Sequence, residues 1–408
     1  MKILQNKDRY FVNSNSLIYA IFISAIVAIL IANFIILSSL YINLERKIDN
    51  HLETISFYNN TYQLLIKDKN EESFQDYFKD KNKEFKVEVK EWGFLKVKNL
   101  TLLSRIDTIN KSYFVAKSHP LNSNIAVYEA NFNKTLNLAG ISSIKGDIYT
   151  SDRGYSSLTI NNIVHSGNCE IVQKKISAKT LPLRAENFVM PKNCDNYDYS
   201  YLQSKNINSF KKNTIRISNV RNVSNIEIIG NYILHSSDSI YISKTAILED
   251  VIIDAPIVYF EDDFKGILQV ISKEKIVIGN NVDLLYPSTL YIESNTNKDA
   301  NISVGSNSIF YGLIVLDGKE PYFDKYRNLT IEDNGLILGD VYCKGTIDNR
   351  GKIYGTVYVN NFSYITSTTS FDNTVFNGIF DVFKRPNNFI KIDIEDEKSN
   401  TSIIKEVW

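Results

Sequence analysis

The apolar positions of this chain fall into three successive patterns. From Leu17 to Ile42 the run LIYAIFISAIVAILIANFIILSSLYI carries no charge and one strongly polar residue, Asn33. Those 26 residues make a helix of about 39 Å, longer than the roughly 30 Å of a bilayer hydrocarbon core. The apolar core of a cleaved signal peptide is only about 7–15 residues and ends at a small-residue exit site. The pattern therefore predicts an uncleaved transmembrane helix over 17–42, with 1–16 as a cytoplasmic tail. Beyond it Tyr41, Leu44, Ile48, Leu52, Ile55, Tyr62 and Leu65 recur in steps of three, four or seven, with Glu45, Lys47, Asp49, Asn50 and Glu53 between them. This is one apolar face of a helix continuing out of the membrane. Two readings stand side by side: the face packs on its own domain, or Leu44, Ile48, Leu52 and Ile55 form an assembly face against copies or a partner. The charged, mixed-sign stretch 67–84 completes a helical extension and connector over 43–84.

From Phe85 the period becomes two. FKVEVKEW and GFLKVKNL alternate about the Trp92–Gly93 junction like a hairpin, and runs at Tyr113–Ala116 and Ala126–Ala130 complete an expected small β region over 85–132. Further along, the period of two acquires a repeat. GLILGDVYCKG at 335–345 and GKIYGTVYVNN at 351–361 match with an offset of sixteen residues, so that Gly335, Ile337, Gly339, Val341 and Tyr342 recur as Gly351, Ile353, Gly355, Val357 and Tyr358. SIFYGLIVLDG from Ser308 and SIKGDIYT around Ile144 fit the same template. Repetition with apolar residues at every second position is what stacked short strands require, because one rung cannot bury its inner face alone. The predicted fold is mainly β: the single N-terminal transmembrane helix with its amphipathic extension, then a right-handed β-helix or β-solenoid over 133–362. An insertion or lateral flap is expected at 165–212, a loop projecting from a corner at 317–328, and a C-terminal cap and tail at 363–408.

Composition adds limits. The 408 residues hold 46 basic and 46 acidic side chains, and this balance gives no basic face for nucleic acid. Abundant Tyr (25) and Phe (22) suit half-buried strands. Lys2, Lys7 and Arg9 precede the anchor and Arg46 and Lys47 follow it, a slight excess that favours a cytoplasmic N-terminus and an extracytoplasmic head on an inner membrane. Of the three cysteines, Cys343 falls on the position of Leu316 and Val359 and is expected in the core. Cys169 and Cys194 lie in polar, loop-like sequence; they are a candidate disulfide in an oxidising compartment, with two free thiols as the alternative. Neither has zinc-ligand spacing.

Catalytic chemistry is thin. The densest acidic group, Glu261, Asp262 and Asp263 with Lys265 in FEDDFKG, reads as a solvated turn between strands. Asp340 aligns with Thr356 and is expected to face outward. The four histidines, His51, His119, His165 and His235, are scattered, and no nucleophile-elbow, HExxH, P-loop or dinucleotide fingerprint occurs. No catalytic residue, cofactor or metal ligand is assigned.

The G-D/T-V/I-Y rungs over 302–362, with the match at 141–150, resemble those of the bactofilins, polymer-forming cytoskeletal proteins, and the resemblance implies a β-solenoid. Over more of the chain the sequence is similar to membrane-anchored bacterial β-solenoid proteins of uncharacterised function. The matching stretches are the anchor, EWGFLKV around Trp92, IKGDIY at Ile144–Tyr149, and the region from YISK to YPS. The order of tail, apolar helix and β-rich head also resembles that of a minor pilin or pseudopilin, although no Gly precedes the apolar run and no Glu lies near its start. These resemblances imply a non-enzymatic structural or interaction protein of the bacterial cell envelope, in a pilus-like or surface assembly, with the membrane, copies of itself or envelope-assembly proteins as partners and no nucleic acid. The alternative is a carbohydrate-active β-helix enzyme or glycan-binding module, which needs acidic and basic side chains converging in one lateral groove.

Overall fold

The computed structural model describes residues 14–65, 83–104, 108–119, 123–185, 188–295, 299–318, 326–387, 389–395 and 400–407. The start of the predicted cytoplasmic tail (1–13), most of the charged connector (66–82) and the tip of the 317–328 loop (319–325) lie outside the described residues. One helix, α1 (Ser14–Leu65), runs unbroken for 52 residues, or about 78 Å. It is long and apolar enough to cross a membrane. The apolar run of 17–42 and the extension that follows it are therefore one continuous helix.

The rest is mainly β. A four-stranded antiparallel sheet contains β1 (Lys83–Trp92), β2 (Leu95–Ser104), β3 (Thr108–Ser118) and the strand Asn400–Val407, in that order. The predicted hairpin is present, with Trp92 opposite Leu95 across Gly93, whose φ of +69° suits the turn. The fourth member differs from expectation. Strand Ile125–Glu129 leaves this sheet for the larger one, and the C-terminal strand takes the place beside β3.

The larger sheet is a ring of parallel ladders around an apolar interior. Each strand pairs with the equivalent strand of the next coil, so residue types repeat in columns. One inner column runs Leu290, Ile314, Val341, Val357, Val127, Ile148. A second runs Ile292, Leu316, Cys343, Val359, Glu129. A third, on another side, runs Leu284, Phe310, Ile337, Ile353, Phe380, Ile144. All the apolar members are buried in one cluster. The Tyr of the repeat points the other way: Tyr342, Tyr358, Tyr128 and Tyr149 are consecutive neighbours on the outer face, with centroid separations of 6.1, 5.9 and 5.2 Å.

The order of coils differs from the order of the chain. Strand Val357–Ile365 pairs with Ile125–Glu129, which pairs with Ser143–Thr150, which pairs with Glu170–Ile176. The first coils of the chain thus stack on the last. The expected insertion at 165–212 is three different things: the strand Glu170–Ile176 at one end of the stack, a strap along its flank, and the strands Cys194–Asp198 and Lys205–Asn208 at the other end. Residues expected to cap the stack are likewise drawn into it. Ile379–Asp381 lies between Lys352–Tyr354 and Ser143–Thr150, and Phe389, Ile390, Ile392 and Ile394 pack in the apolar cluster on the flank.

The strap is fixed along its course. The Ala178 amide donates to the Tyr128 hydroxyl, and the Tyr342 hydroxyl donates to the Pro182 carbonyl. Val189 exchanges two backbone hydrogen bonds with Gly93. Between them Arg184, almost fully buried, contacts Asp317 at 2.6 Å and lies 5.6 Å from the ring centres of Tyr291 and Tyr342. Charge pairing and cation–π contact in a water-poor setting make this the strap's main anchor.

The inner columns generate a prediction. Val357 is fully buried among Val341, Val127 and their neighbours. Val357→Asp places an unpaired carboxylate there and is expected to cost about 3–5 kcal/mol. Chemical denaturation of the purified protein checks this; a loss below about 1 kcal/mol contradicts the register.

Candidate functional site

The structure resolves each residue group that sequence reasoning raised. The acidic turn is occupied by turn chemistry. Glu261 accepts from the Ser243 hydroxyl (2.7 Å) and the Lys244 amide (2.8 Å), Asp262 accepts from the Asn280 amide (2.7 Å), and Lys265 pairs with Asp283 (2.7 Å). Asp263 and Asn281 hold left-handed φ values of 66° and 55° and are linked side chain to side chain at 3.3 Å. These short polar side chains satisfy backbone groups at successive corners of the stack, the role for which Asp and Asn are suited. Among the described residues, no group of His, Cys, Asp and Glu is placed to hold a metal ion.

The candidate disulfide is corrected. Cys194 opens the first strand of the longest ladder, and Cys169 immediately precedes its last strand. Eleven inter-strand steps separate those strands, roughly 50 Å at about 4.8 Å each. A disulfide needs Cα atoms within about 7 Å. Both thiols are free, and partial burial pushes both above their ordinary pKa. Cys343 forms no disulfide and is fully buried in the second inner column.

Asp340 is also corrected. It is fully buried, with His119, Arg385 and Ile392 set against the corner on which it sits. Its carboxylate accepts from His119 Nε2 (2.7 Å), the Thr356 amide (3.0 Å) and the Ile392 amide (3.2 Å), with Arg385 at 4.0 Å. Burial alone would raise its pKa, but the facing His119 and Arg385 and the donated hydrogen bonds hold it below the usual carboxylate range. Arg385 also donates to the Thr356 hydroxyl (3.2 Å) and the Ser123 carbonyl (2.9 Å). Sequence reasoning missed this cluster, since its members come from three distant segments. The aligned Asp340/Thr356 position was the available signal. The other histidines serve separate coils: His235 contacts Asp254 at 2.9 Å, and His165 contacts Ser157 and the Ser142 carbonyl.

Two further buried acids are functional in appearance. Asp250 sits at a bulge between Glu249 and Val251 with φ +59°, which aims it at Lys405 of the C-terminal strand (2.9 Å), while Glu249 takes the same ammonium at 2.6 Å. Burial raises Asp250 to about 6 despite Lys405. Glu129 ends the apolar column of Leu316, Cys343 and Val359. Burial raises it to about 7, offset in part by hydrogen bonds from Thr150 and Asn373 and by Lys134, with Asp372 opposing. The Lys405 contacts join the C-terminal strand to the stack, whereas Thr150 meets Glu129 from the neighbouring strand within it.

A cleft of about 340 Å³ lies between β1, the strap at 189–193 and the first coils. Val89, Trp92, Val97, Met190 and Phe210 give it apolar walls. Two of its polar side chains are bonded together: Thr214 donates to Asn231 (2.8 Å), and Asn231 donates to the Lys212 carbonyl (3.0 Å). The expected assembly face lies elsewhere, with Leu44, Ile48, Leu52 and Ile55 all exposed on α1.

No protein-family model, no curated protein and no solved structure matches this chain.

Glu129 yields a pH prediction. Its folded pKa lies above the unfolded 4.5, so its stabilising contribution is present below pH 4.5 and is lost as pH rises to about 7. The difference of about 2.5 pH units corresponds to roughly 3 kcal/mol. Glu129→Gln should therefore raise the melting temperature at pH 8 and leave it nearly unchanged at pH 4.5. Thermal unfolding at both pH values checks this, and equal effects at the two contradict it.

Proposed function

We propose that this chain is a non-enzymatic, single-pass structural protein of the bacterial cell envelope. α1 is anchored in the inner membrane, and the β-rich head lies on the outer side as a right-handed β-solenoid that takes part in a pilus-like or surface assembly. The observation that carries this reading is the continuity of α1. A span able to cross a bilayer runs without a break into about 35 Å of helix over 43–65 whose apolar stripe, Leu44–Ile48–Leu52–Ile55, stays exposed. A stripe of that kind is suited to pairing with another helix. Anchors held side by side in one membrane raise its effective concentration, so modest contacts suffice. The head supports a scaffold role: its interior is filled by its own side chains, and its conspicuous carboxylates are spent on turns and on fastening outer segments. Right-handed winding follows the strong general preference for right-handed crossovers between parallel strands. The slight Lys/Arg excess before the span supports the outward head.

Two experiments test the reading. Reporters fused after residue 408 are expected to be active only in a periplasmic assay; activity of a cytoplasm-only reporter overturns the orientation. Ile48→Asn with Leu52→Asn is expected to reduce crosslinked complexes in native membranes at least severalfold while the head keeps its melting temperature. Polysaccharide lyase or hydrolase activity that is lost on Asp262→Ala, in membranes where crosslinking finds only monomer, would replace this reading with the enzymatic one.

A further inference from the structure

The feature left unexplained by that reading is β1. It is ten residues long and lies at the edge of its sheet, paired with β2 on one side only. The strap meets the chain just beyond it, at the Gly93–Val189 bridge, and then diverges to leave the cleft described above. Among the described residues, nothing pairs with the outer edge of Lys83–Trp92. A long unpaired edge is a template for another strand, and natural proteins usually blunt it with a bulge, a proline or a cover. Here Val89 is half exposed, and Lys86 and Glu88 are exposed beside it.

The sequence of this edge is complementary to itself. Lys83-Glu84-Phe85-Lys86-Val87-Glu88-Val89-Lys90-Glu91, laid antiparallel on a copy of itself about Val87, sets Lys83 opposite Glu91, Glu84 opposite Lys90, Phe85 opposite Val89 and Lys86 opposite Glu88. Every charge meets its opposite and every apolar residue meets an apolar one. No neighbouring register does this. A slip of one residue sets Lys83 against Lys90 or Glu84 against Glu91, and a slip of two sets Lys86 or Glu88 against itself. Directly opposed pairs are the unit of sheet stability, and like charges there are destabilising. Side-chain alternation then puts Val87 and Val89 on one face and Lys86, Glu88 and Lys90 on the other.

We propose that β1 is a homotypic docking edge, which pairs antiparallel with β1 of a second copy of this chain about a two-fold axis through Val87. The pairing joins two four-stranded sheets into one of eight strands, and the interface is isologous, so it closes as a dimer. Lys90 is already drawn toward the carbonyls of Phe210 and Lys212 at 3.1 and 3.2 Å. The discriminating contacts are therefore the two Lys86–Glu88 pairs, now satisfied within each strand at 2.7 Å. The inference deepens the assembly reading by naming one partner, and it uses a surface separate from α1.

The test uses the full-length chain in membranes, co-expressed with two different tags and extracted in mild detergent. Lys86→Glu alone sets Glu against Glu, and Glu88→Lys alone sets Lys against Lys. Each is expected to lower co-purification with itself on the order of tenfold. Mixing the two single variants restores opposite charges at both contacts and is expected to restore co-purification, as is the double variant with itself. Val87→Cys, in a background with Cys169→Ser and Cys194→Ser, is expected to form an intermolecular disulfide on mild oxidation. Undiminished self-association of the single variants, failure of the mixture to recover, or no Val87→Cys crosslink overturns the proposal. Association that ignores the charge changes but is lost on Ile48→Asn with Leu52→Asn refutes the β1 edge and leaves assembly through α1 standing. Monomer alone in the wild type refutes both.

Discussion

The head depends on hydrogen bonding between coils. A short strand in a parallel stack finds no partner within its own coil, so each of its amides and carbonyls is satisfied only by the coil above or below. The same adjacency covers the apolar columns, since Val357 is buried by Val341 on one side and Val127 on the other. Backbone pairing and side-chain burial are therefore one constraint. It is strongest in the middle of the stack and fails at any coil left without a neighbour.

The outer segments are arranged around that weakness. The last coils of the chain are covered by the first, and the C-terminal segment crosses the seam, where Arg385 reaches the Ser123 carbonyl and the Thr356 hydroxyl. Asp340 and His119 bind the same seam from within. Arg184 fastens the strap that carries the chain from one end of the stack to the other, and Lys405 fastens the C-terminal strand to the bulge at Asp250. Each fastening buries charge, and each is completed by a partner from a distant part of the sequence. Buried ionic contacts of this kind contribute less to net stability than to the choice of one arrangement over its competitors, because breaking one leaves a lone charge without water.

Much of the interior was legible because it is periodic. The sixteen-residue offset between Gly335 and Gly351 places Ile337 beside Ile353 and Val341 beside Val357, as the pairings show. α1 was legible from its apolar length, and the β1–β2 hairpin from its alternation about Gly93. Connectivity was not legible. Nothing local to Ile125–Glu129 says that it pairs with Val357–Ile365, and a five-residue strand fits either sheet. For the same reason a disulfide between Cys169 and Cys194 looked reasonable by spacing, although the strap between them spans the length of the stack. The Asp340 cluster was hidden in the same way: its register is local, and its cover comes from segments whose position only the tertiary fold sets. The Glu129 position reads as one more inward residue of an alternating strand, and its type alone marks it as unusual.

The stacking of first coils on last has a consequence for biogenesis. Ile125 and Thr356, bonded in the finished head, are 231 residues apart. At about 5–20 residues per second, the ribosome takes roughly 10–50 s to deliver the second after the first. During that interval Glu170–Ile176 covers one side of the pair formed by Ile125–Glu129 and Ser143–Thr150, and the Ile125–Glu129 side stays without its neighbour. The head cannot mature in the order in which it emerges, because residues 357–381 must arrive before the first strands find all their neighbours. In a nascent chain of this design the edge of residues 125–129 is the one to be shielded until its partner arrives, since an unpaired strand edge is a template for wrong pairing.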